Sequence, residues 1–235
     1  MTSLLTSALP GYRVRLYPPG VAWPAAGGSY TSTYPVVLRD GSCLELPLRA
    51  LPGGTDAIAL LMSNQTPFAV EEALAAVMTE MIRPLAPDMI VGVPTMGLDY
   101  ARLVAKSLGL PHYVALGLSR KFWYDQSWSE PTLSGTSPGQ SKALYLDPHL
   151  LDRVAGRRVV LIDDVINTGL TAAAALRLLK RAGASVEAVA AVLTEGPAWR
   201  QALAQVDPDA PAKVLALGHI PMFRRVAGEW VAKDE

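Results

Sequence analysis

The chain has 235 residues, half of them hydrophobic, enough for one large domain or two small ones with a substantial core. Lysine plus arginine and aspartate plus glutamate both number 21, so the formal charge is zero, which excludes bulk electrostatic attraction to nucleic acid and leaves room only for a local patch. Cys43 is the only cysteine, which excludes an intrachain disulfide and predicts a reducing, cytoplasmic setting.

His112, His149 and His219 are scattered and show no metal-ligand spacing. No apolar run approaches the roughly 20 residues of a membrane span. The opening stretch, MTSLLTSALPGYRVRLYPPG, lacks the basic and apolar regions of a signal peptide and reads as a loose extension punctuated by Pro and Gly. YPVVLRDGSCLELPLRAL follows, two short extended runs around Asp40-Gly41 that predict a hairpin. Residues 68–85 have helical periodicity, stopped by Pro84 and Pro87. MIVGV predicts a strand, and GLDYARLVAKSLG a helix with Gly109 as its stop. PHYVALG predicts another strand. Residues 119–142, rich in Ser, Pro, Gly and Thr, are too long for an ordinary connector and predict a lid or a disordered loop. RRVVLID predicts a strand and LTAAAALRLLKRAG a helix ending at Gly183. VEAVAAVL, a short helix over 198–205 and the strand KVLAL complete the chain. Strands alternating with helices predict an α/β protein with an open parallel sheet flanked by helices.

The most informative stretch is VVLIDDVINTGLT. Four apolar residues lead into Asp163 and Asp164, two like charges at the expected carboxyl end of a buried strand. Ligands of open α/β sheets bind at those ends. The turn after them opens the helix that begins near Leu170, where backbone N–H groups and the helix dipole suit a phosphate. Gly169 lets the backbone approach closely, and the hydroxyls of Thr168 and Thr171 add donors. A phosphate cradle beside two hydrogen-bond-accepting carboxylates fits a sugar phosphate. The bland reading is a solvated strand edge followed by a helix cap. The P-loop pattern G-x-x-x-x-G-K-[ST] and the dinucleotide-binding fingerprint are both absent.

This stretch resembles the phosphoribosyl-pyrophosphate (PRPP) motif of type I phosphoribosyltransferases, and the resemblance extends over roughly residues 58–231, closest to the adenine and xanthine enzymes. It implies a type I phosphoribosyltransferase fold with a flexible lid and a small hood. Asp163 and Asp164 would contact the ribose 2′- and 3′-hydroxyls. Val165, Ile166, Asn167, Thr168, Gly169, Leu170 and Thr171 would wrap the 5′-phosphate. Thr95, Met96 and Gly97 occupy the place of the pyrophosphate loop. The lid would be residues 119–142, with Arg120 and Lys121 neutralising pyrophosphate, one of them reaching in from a neighbouring subunit, and Lys142 assisting at its far end. Trp123, Tyr124 and Trp128 suggest that the lid packs on something. In the hood, Asn64 would read a base edge and Phe223, within GHIPMFRR, would stack on a purine or pack in the core. The resemblance implies residues 51–235 as the phosphoribosyltransferase domain, with a C-terminal hood at 218–231. Residues 1–50 have no secure counterpart, and one reading adds their hairpin to the hood.

The chain departs from the pattern in one telling place. Enzymes for 6-oxopurines carry a lysine after the penultimate strand, and here Glu195 stands near that position in VLTEGPAW. An ionised carboxylate accepts and cannot donate, so it suits an exocyclic amino group, which favours adenine. Glu130 is the sole candidate for the glutamate of the adenine enzymes' lid. The implied activity is transfer of a phosphoribosyl group from PRPP to a nitrogenous base, a purine, with release of pyrophosphate. Mg²⁺ would ride on PRPP without direct protein ligands. The protein would be a homodimer without membrane or nucleic-acid partners. The alternative is a non-catalytic PRPP-binding regulator. A PRPP synthase-like enzyme is a third reading, weakened because that group uses two tandem domains.

Overall fold

The computed structural model describes residues 11–23, 28–132 and 142–234. The N-terminal part contributes strands β1 (Arg15–Tyr17), β2 (Thr33–Val37), β3 (Cys43–Ala50) and β4 (Asp56–Ala59). The middle of the chain folds as α1 (Phe68–Ile82), β5 (Met89–Gly92), α2 (Gly97–Ser107), β6 (Val114–Ala115), β7 (Ser129–Thr132) and β8 (Lys142–Tyr145). The remainder supplies β9 (Arg158–Ile166), α3 (Leu170–Arg181), β10 (Ser185–Glu195), α4 (Ala198–Ala204), β11 (Val214–Ile220), β12 (Phe223–Val226) and β13 (Glu229–Ala232).

The predicted α/β architecture is present. Five strands form a parallel sheet in the order β11-β10-β9-β5-β6, and α2, α3 and α4 each cross from one strand to a parallel neighbour. Strand β9 shows why its apolar residues run consecutively. Val160 and Ile162 face a cluster with Leu74 and Met78 of α1 and Tyr100 and Val104 of α2. Val159 and Leu161 face the other cluster, with Ala174, Leu178 and Leu179 of α3 and Trp199 of α4. Alternate side chains of a strand take opposite faces, so a sheet covered on both sides needs apolar residues at every position. The helix stops at Gly109 and Gly183 hold, with φ of 77° and 75°, a left-handed conformation that costs glycine nothing. One boundary differs from the sequence reading. Strand β9 does not end at the acid pair but continues to Ile166, because β10 goes on pairing with it through Leu193–Val165 and Thr194–Ile166.

A second, antiparallel sheet runs in the order β1-β3-β4-β12-β13, with β2 also paired to β3. The Asp40-Gly41 hairpin is part of it, with Val37 opposite Cys43. The strands on either side of residue 50 pair with each other, Leu48 opposite Ala59. Strand β4 then pairs with β12, Ala57 opposite Phe223, so the N-terminal hairpin and the C-terminal strands share one sheet. Leu44, Leu46, Phe223 and Trp230 pack into the same cluster as α1 and the parallel sheet. The backbone N–H of Arg39 donates to the carbonyl of Leu217 at 2.7 Å and joins the two sheets.

Within the described part of the expected lid, residues 119–125 form turns and irregular backbone, and regular structure begins at Gln126. A single turn at Gln126–Trp128 leads into a two-stranded ribbon of β7 and β8. Its aromatics anchor it. Tyr124 stacks on Tyr145 at 5.5 Å, Trp123 Nε1 donates to Asp147 at 3.0 Å, and Trp128 packs against the cluster under α3. Residues 133–141 and the Lys142 side chain, parts of the expected lid, lie outside the described residues, as do residues 1–10 of the expected N-terminal extension.

Candidate functional site

A cavity of about 730 Å³ opens where the carboxyl ends of β5, β9 and β10 face the turn between β3 and β4. Its floor carries Asp163, Asp164 and Glu195, and the wall formed by the turn into α3 carries Val165, Ile166, Asn167, Thr168, Gly169 and Thr171. Thr95 and Met96 line a third side. Leu60, Leu61, Leu51, Pro52 and Met222 form a largely apolar roof with Arg49.

The acid pair is the electrostatic centre. Both aspartate residues are about nine-tenths covered, at 8% exposure each, and the backbone N–H of Asp164 donates to Asp163 Oδ1 at 2.9 Å. Burial pushes the Asp163 carboxyl well above the usual carboxylate range, and the neighbouring charge of Asp164 adds to the push. Burial raises the Asp164 carboxyl as well. Two crowded, poorly solvated carboxylates gain from any ligand that brings hydroxyl donors or positive charge.

The two helix-start turns on the cavity are placed by close backbone approach. A Cβ on Gly97 would lie 2.8 Å from the Cα of Asp163, so glycine lets the start of α2 touch β9 beside the acid pair. The peptide between Pro94 and Thr95 in this turn is cis. The Ser63 hydroxyl donates to the carbonyl of Met96 at 2.9 Å and ties the turn to the segment before α1. Tyr12 holds that segment in turn, its hydroxyl accepting from the Met62 N–H at 2.7 Å. Gly169 has φ of 75°, and a Cβ there would lie 2.8 Å from the Cα of Trp199. The turn is therefore pressed against α4 and admits only glycine without a shift. Asn167 donates its side-chain amide to Glu195, which couples the turn to the end of β10.

The structure thus brings Asp163, Asp164, Thr95, Met96, Glu195 and most of the turn into α3 around one cavity, with Gly97 packed directly beneath. Leu170 opens α3 with its side chain 40% exposed and off the cavity wall. Other expected residues are elsewhere. Phe223 is fully buried, with ring centroids of Tyr34 and Tyr30 at 5.0 and 6.0 Å, so no base can stack on it; the neighbouring Met222 lines the cavity instead. Asn64 is exposed and off the cavity wall, while Ser63 beside it faces inward. Arg120 and Lys121 are exposed and also off the wall. Glu130 is held in ion pairs by Arg177 and Arg181 of α3 and does not line the cavity. Sequence reasoning missed Arg49, the roof residues and Thr132, none of which carries a motif.

Among the described residues no cluster of three or more His, Cys, Asp or Glu side chains could hold a metal ion. No helix among them is long and apolar enough to cross a membrane.

Comparison with known proteins agrees with the geometry. Residues 63–216 match the model of the phosphoribosyl transferase domain. A hypoxanthine/guanine phosphoribosyltransferase of Methanothermobacter thermautotrophicus is 30% identical over 141 residues, 59% of this chain and 68% of that relative. An amidophosphoribosyltransferase of Synechococcus elongatus is 33% identical over 102 residues, 43% of this chain. The match spans only 20% of that longer protein. Among solved structures, adenine phosphoribosyltransferase from Trypanosoma brucei, in complex with AMP, pyrophosphate and ribose-5-phosphate, superposes with a TM-score of 0.56 at 21% identity, covering 68% of this chain and 66% of that one. The Giardia lamblia enzyme, complexed with 9-deazaadenine, gives 0.53 at 19% identity over 69% of this chain and 93% of that one. At such identities the two structures establish the shared fold. With a family match over well more than half of its length, the chain belongs to the phosphoribosyl transferase domain family, as the motif over 159–171 predicted.

Proposed function

We propose that the protein transfers the 5-phosphoribosyl group of PRPP to a nitrogenous base and releases pyrophosphate. One observation carries this reading: the acid pair, the phosphate turn and the turn of residues 95–97 converge on a single cavity. In this reading Asp163 and Asp164 accept hydrogen bonds from the ribose hydroxyls. The backbone N–H groups at the start of α3, with Thr168 and Thr171, take the 5′-phosphate. Those at the start of α2 take the pyrophosphate.

The chemistry needs no protein nucleophile. A ring nitrogen of the acceptor forms a bond to C1′ as the bond from C1′ to the pyrophosphate oxygen breaks. Pyrophosphate leaves with the bonding electrons, and the ring N–H proton passes to it or to water. The chain contributes by holding the sugar in one orientation and by keeping water out under the apolar roof. Mg²⁺ carried by PRPP neutralises the leaving group when bound. The paired carboxylates below suit a ligand that brings such charge, and no protein cage is required.

The acceptor is a purine in this reading, with adenine favoured. Glu195 supports it as an acceptor-only group on the cavity floor. A homodimer is proposed from the resemblance alone, and a cytoplasmic setting from the single cysteine, Cys43. A second reading, a regulator that binds PRPP without turnover, is favoured by one feature. Arg49 is the only cation lining the cavity among the described residues, and Arg120 and Lys121 stand away from it.

Pyrophosphate release from PRPP with Mg²⁺, measured against adenine, hypoxanthine, guanine, xanthine, uracil and orotate, separates these readings. Release with one base supports the transferase and names its acceptor. Tight PRPP binding by calorimetry with no release supports the regulator.

A further inference from the structure

The ribbon of β7 and β8 is docked on the helix that opens the phosphate turn. Glu130, on β7, has a side chain only 11% exposed. It receives Arg177 Nε at 2.8 Å and a second ion pair from Arg181, one helical turn further along the same face of α3. Arg181 also donates to the carbonyl of Ser127, so the start of the ribbon is held to the same helix. A carboxylate this covered is costly to leave unpaired, and the two guanidinium groups satisfy it.

Two residues along β7 lies Thr132, 6% exposed, on the cavity wall. Alternation along a strand puts Glu130 and Thr132 on the same face, toward α3. The Thr132 hydroxyl lies 3.2 Å from the hydroxyl of Thr171, in hydrogen-bond contact. Thr171 is the second residue of α3 and part of the phosphate turn. Thr132 is the donor of this bond, and each hydroxyl carries one proton, so Thr132 reaches an anion seated in the turn by rotating its proton away from Thr171, whose own hydroxyl then donates to Thr132.

We infer that Thr132 is a phosphate-binding residue supplied by the ribbon, and that Glu130 is the positioning residue that fixes it there. This rests on the phosphate turn being the 5′-phosphate site. It assigns Glu130 a role through α3 rather than against a base. The ribbon becomes a wall of the sugar-phosphate site, and the ion pairs set how closely that wall approaches the turn.

The test is calorimetry on the full chain with two probes, ribose 5-phosphate alone and pyrophosphate with Mg²⁺. Thr132→Val, which keeps shape and removes the hydroxyl, is expected to weaken ribose 5-phosphate about tenfold, the range for one hydrogen bond to a charged group. Pyrophosphate binding is expected to stay unchanged, and Thr132→Ser to restore the wild-type value. Glu130→Gln is expected to reproduce the selective loss to a lesser degree, about threefold, while a merely structural role would weaken both probes together. Wild-type affinity for ribose 5-phosphate in Thr132→Val overturns the assignment, and so does an equal loss for both probes. If the wild-type chain itself fails to bind ribose 5-phosphate but binds pyrophosphate, the phosphate-turn reading falls, and this inference with it.

Discussion

The two sheets meet at the cavity but contribute in opposite ways. The parallel sheet presents strand ends, and with them polar groups: the acid pair, Glu195 and two helix-start turns. The antiparallel sheet presents a β-turn and a strand that are mostly apolar, with Arg49 the exception. The acid pair with its following turn, and the turn of residues 95–97, are each encoded in one contiguous stretch. The roof above them is assembled from residues 49–61 and 222, which are remote in sequence.

This contrast can be broken at several points. Phe223 belongs to the roof sheet as a core residue, so Phe223→Ala is expected to destabilise the protein by about 3–5 kcal/mol, measured by denaturant unfolding. A normal unfolding midpoint with lost acceptor binding would return Phe223 to the site. Gly169 belongs to the phosphate turn. Gly169→Ala must move Trp199 or abandon a left-handed backbone, a cost of about 1–3 kcal/mol, read as roughly a tenfold or greater loss of PRPP affinity in calorimetry.

The acid pair predicts a pH effect with a definite sign. Its carboxyls titrate higher in the folded chain than in the unfolded one, where they ionise near about pH 4. Their contribution to stability is thus full below that value and is lost as pH rises through the folded-state titration. The ligand-free melting temperature of the wild type should therefore fall over that window more steeply than that of Asp163→Asn. Equal slopes in thermal melts would contradict the burial argument. PRPP should flatten the wild-type slope by pairing the carboxylates. The smallest effect is expected at Asn64, exposed and off the cavity: Asn64→Ala should change the acceptor KM by less than about twofold, the scale of an exposed surface change.

The same contrast explains what the sequence made legible. The buried strand, the acid pair and the glycine-bearing turn of 159–171 form one local pattern, and the structure places them together. The motif could not show that β9 runs on to Ile166, because that depends on its pairing with β10. Strands β4, β12 and β13 read DAIA, FRRV and EWVA, too short for any period to register, and they pair across great sequence distance, as in Ala57 with Phe223 and Tyr30 with Trp230. Phe223 carried an aromatic signal, but its direction was set by β12, where Arg224 and Arg225 take the exposed positions and the ring goes inward. Arg120 and Lys121 matched a family pattern by type, yet their exposed placement depends on how the aromatics Trp123 and Tyr124 anchor the segment. Thr132 had no signal at all, since its relevance comes from the Glu130 ion pairs across to α3.

The central claim is that the buried acid pair holds the ribose for transfer. Its most direct test is Mg²⁺-dependent pyrophosphate release by Asp164→Asn at saturating PRPP, with whichever base the wild type accepts. The account predicts a fall in turnover of about 100-fold or more, the scale of removing one preorganised polar contact at a reacting centre, with an unchanged far-UV spectrum. Wild-type turnover in that variant would contradict it.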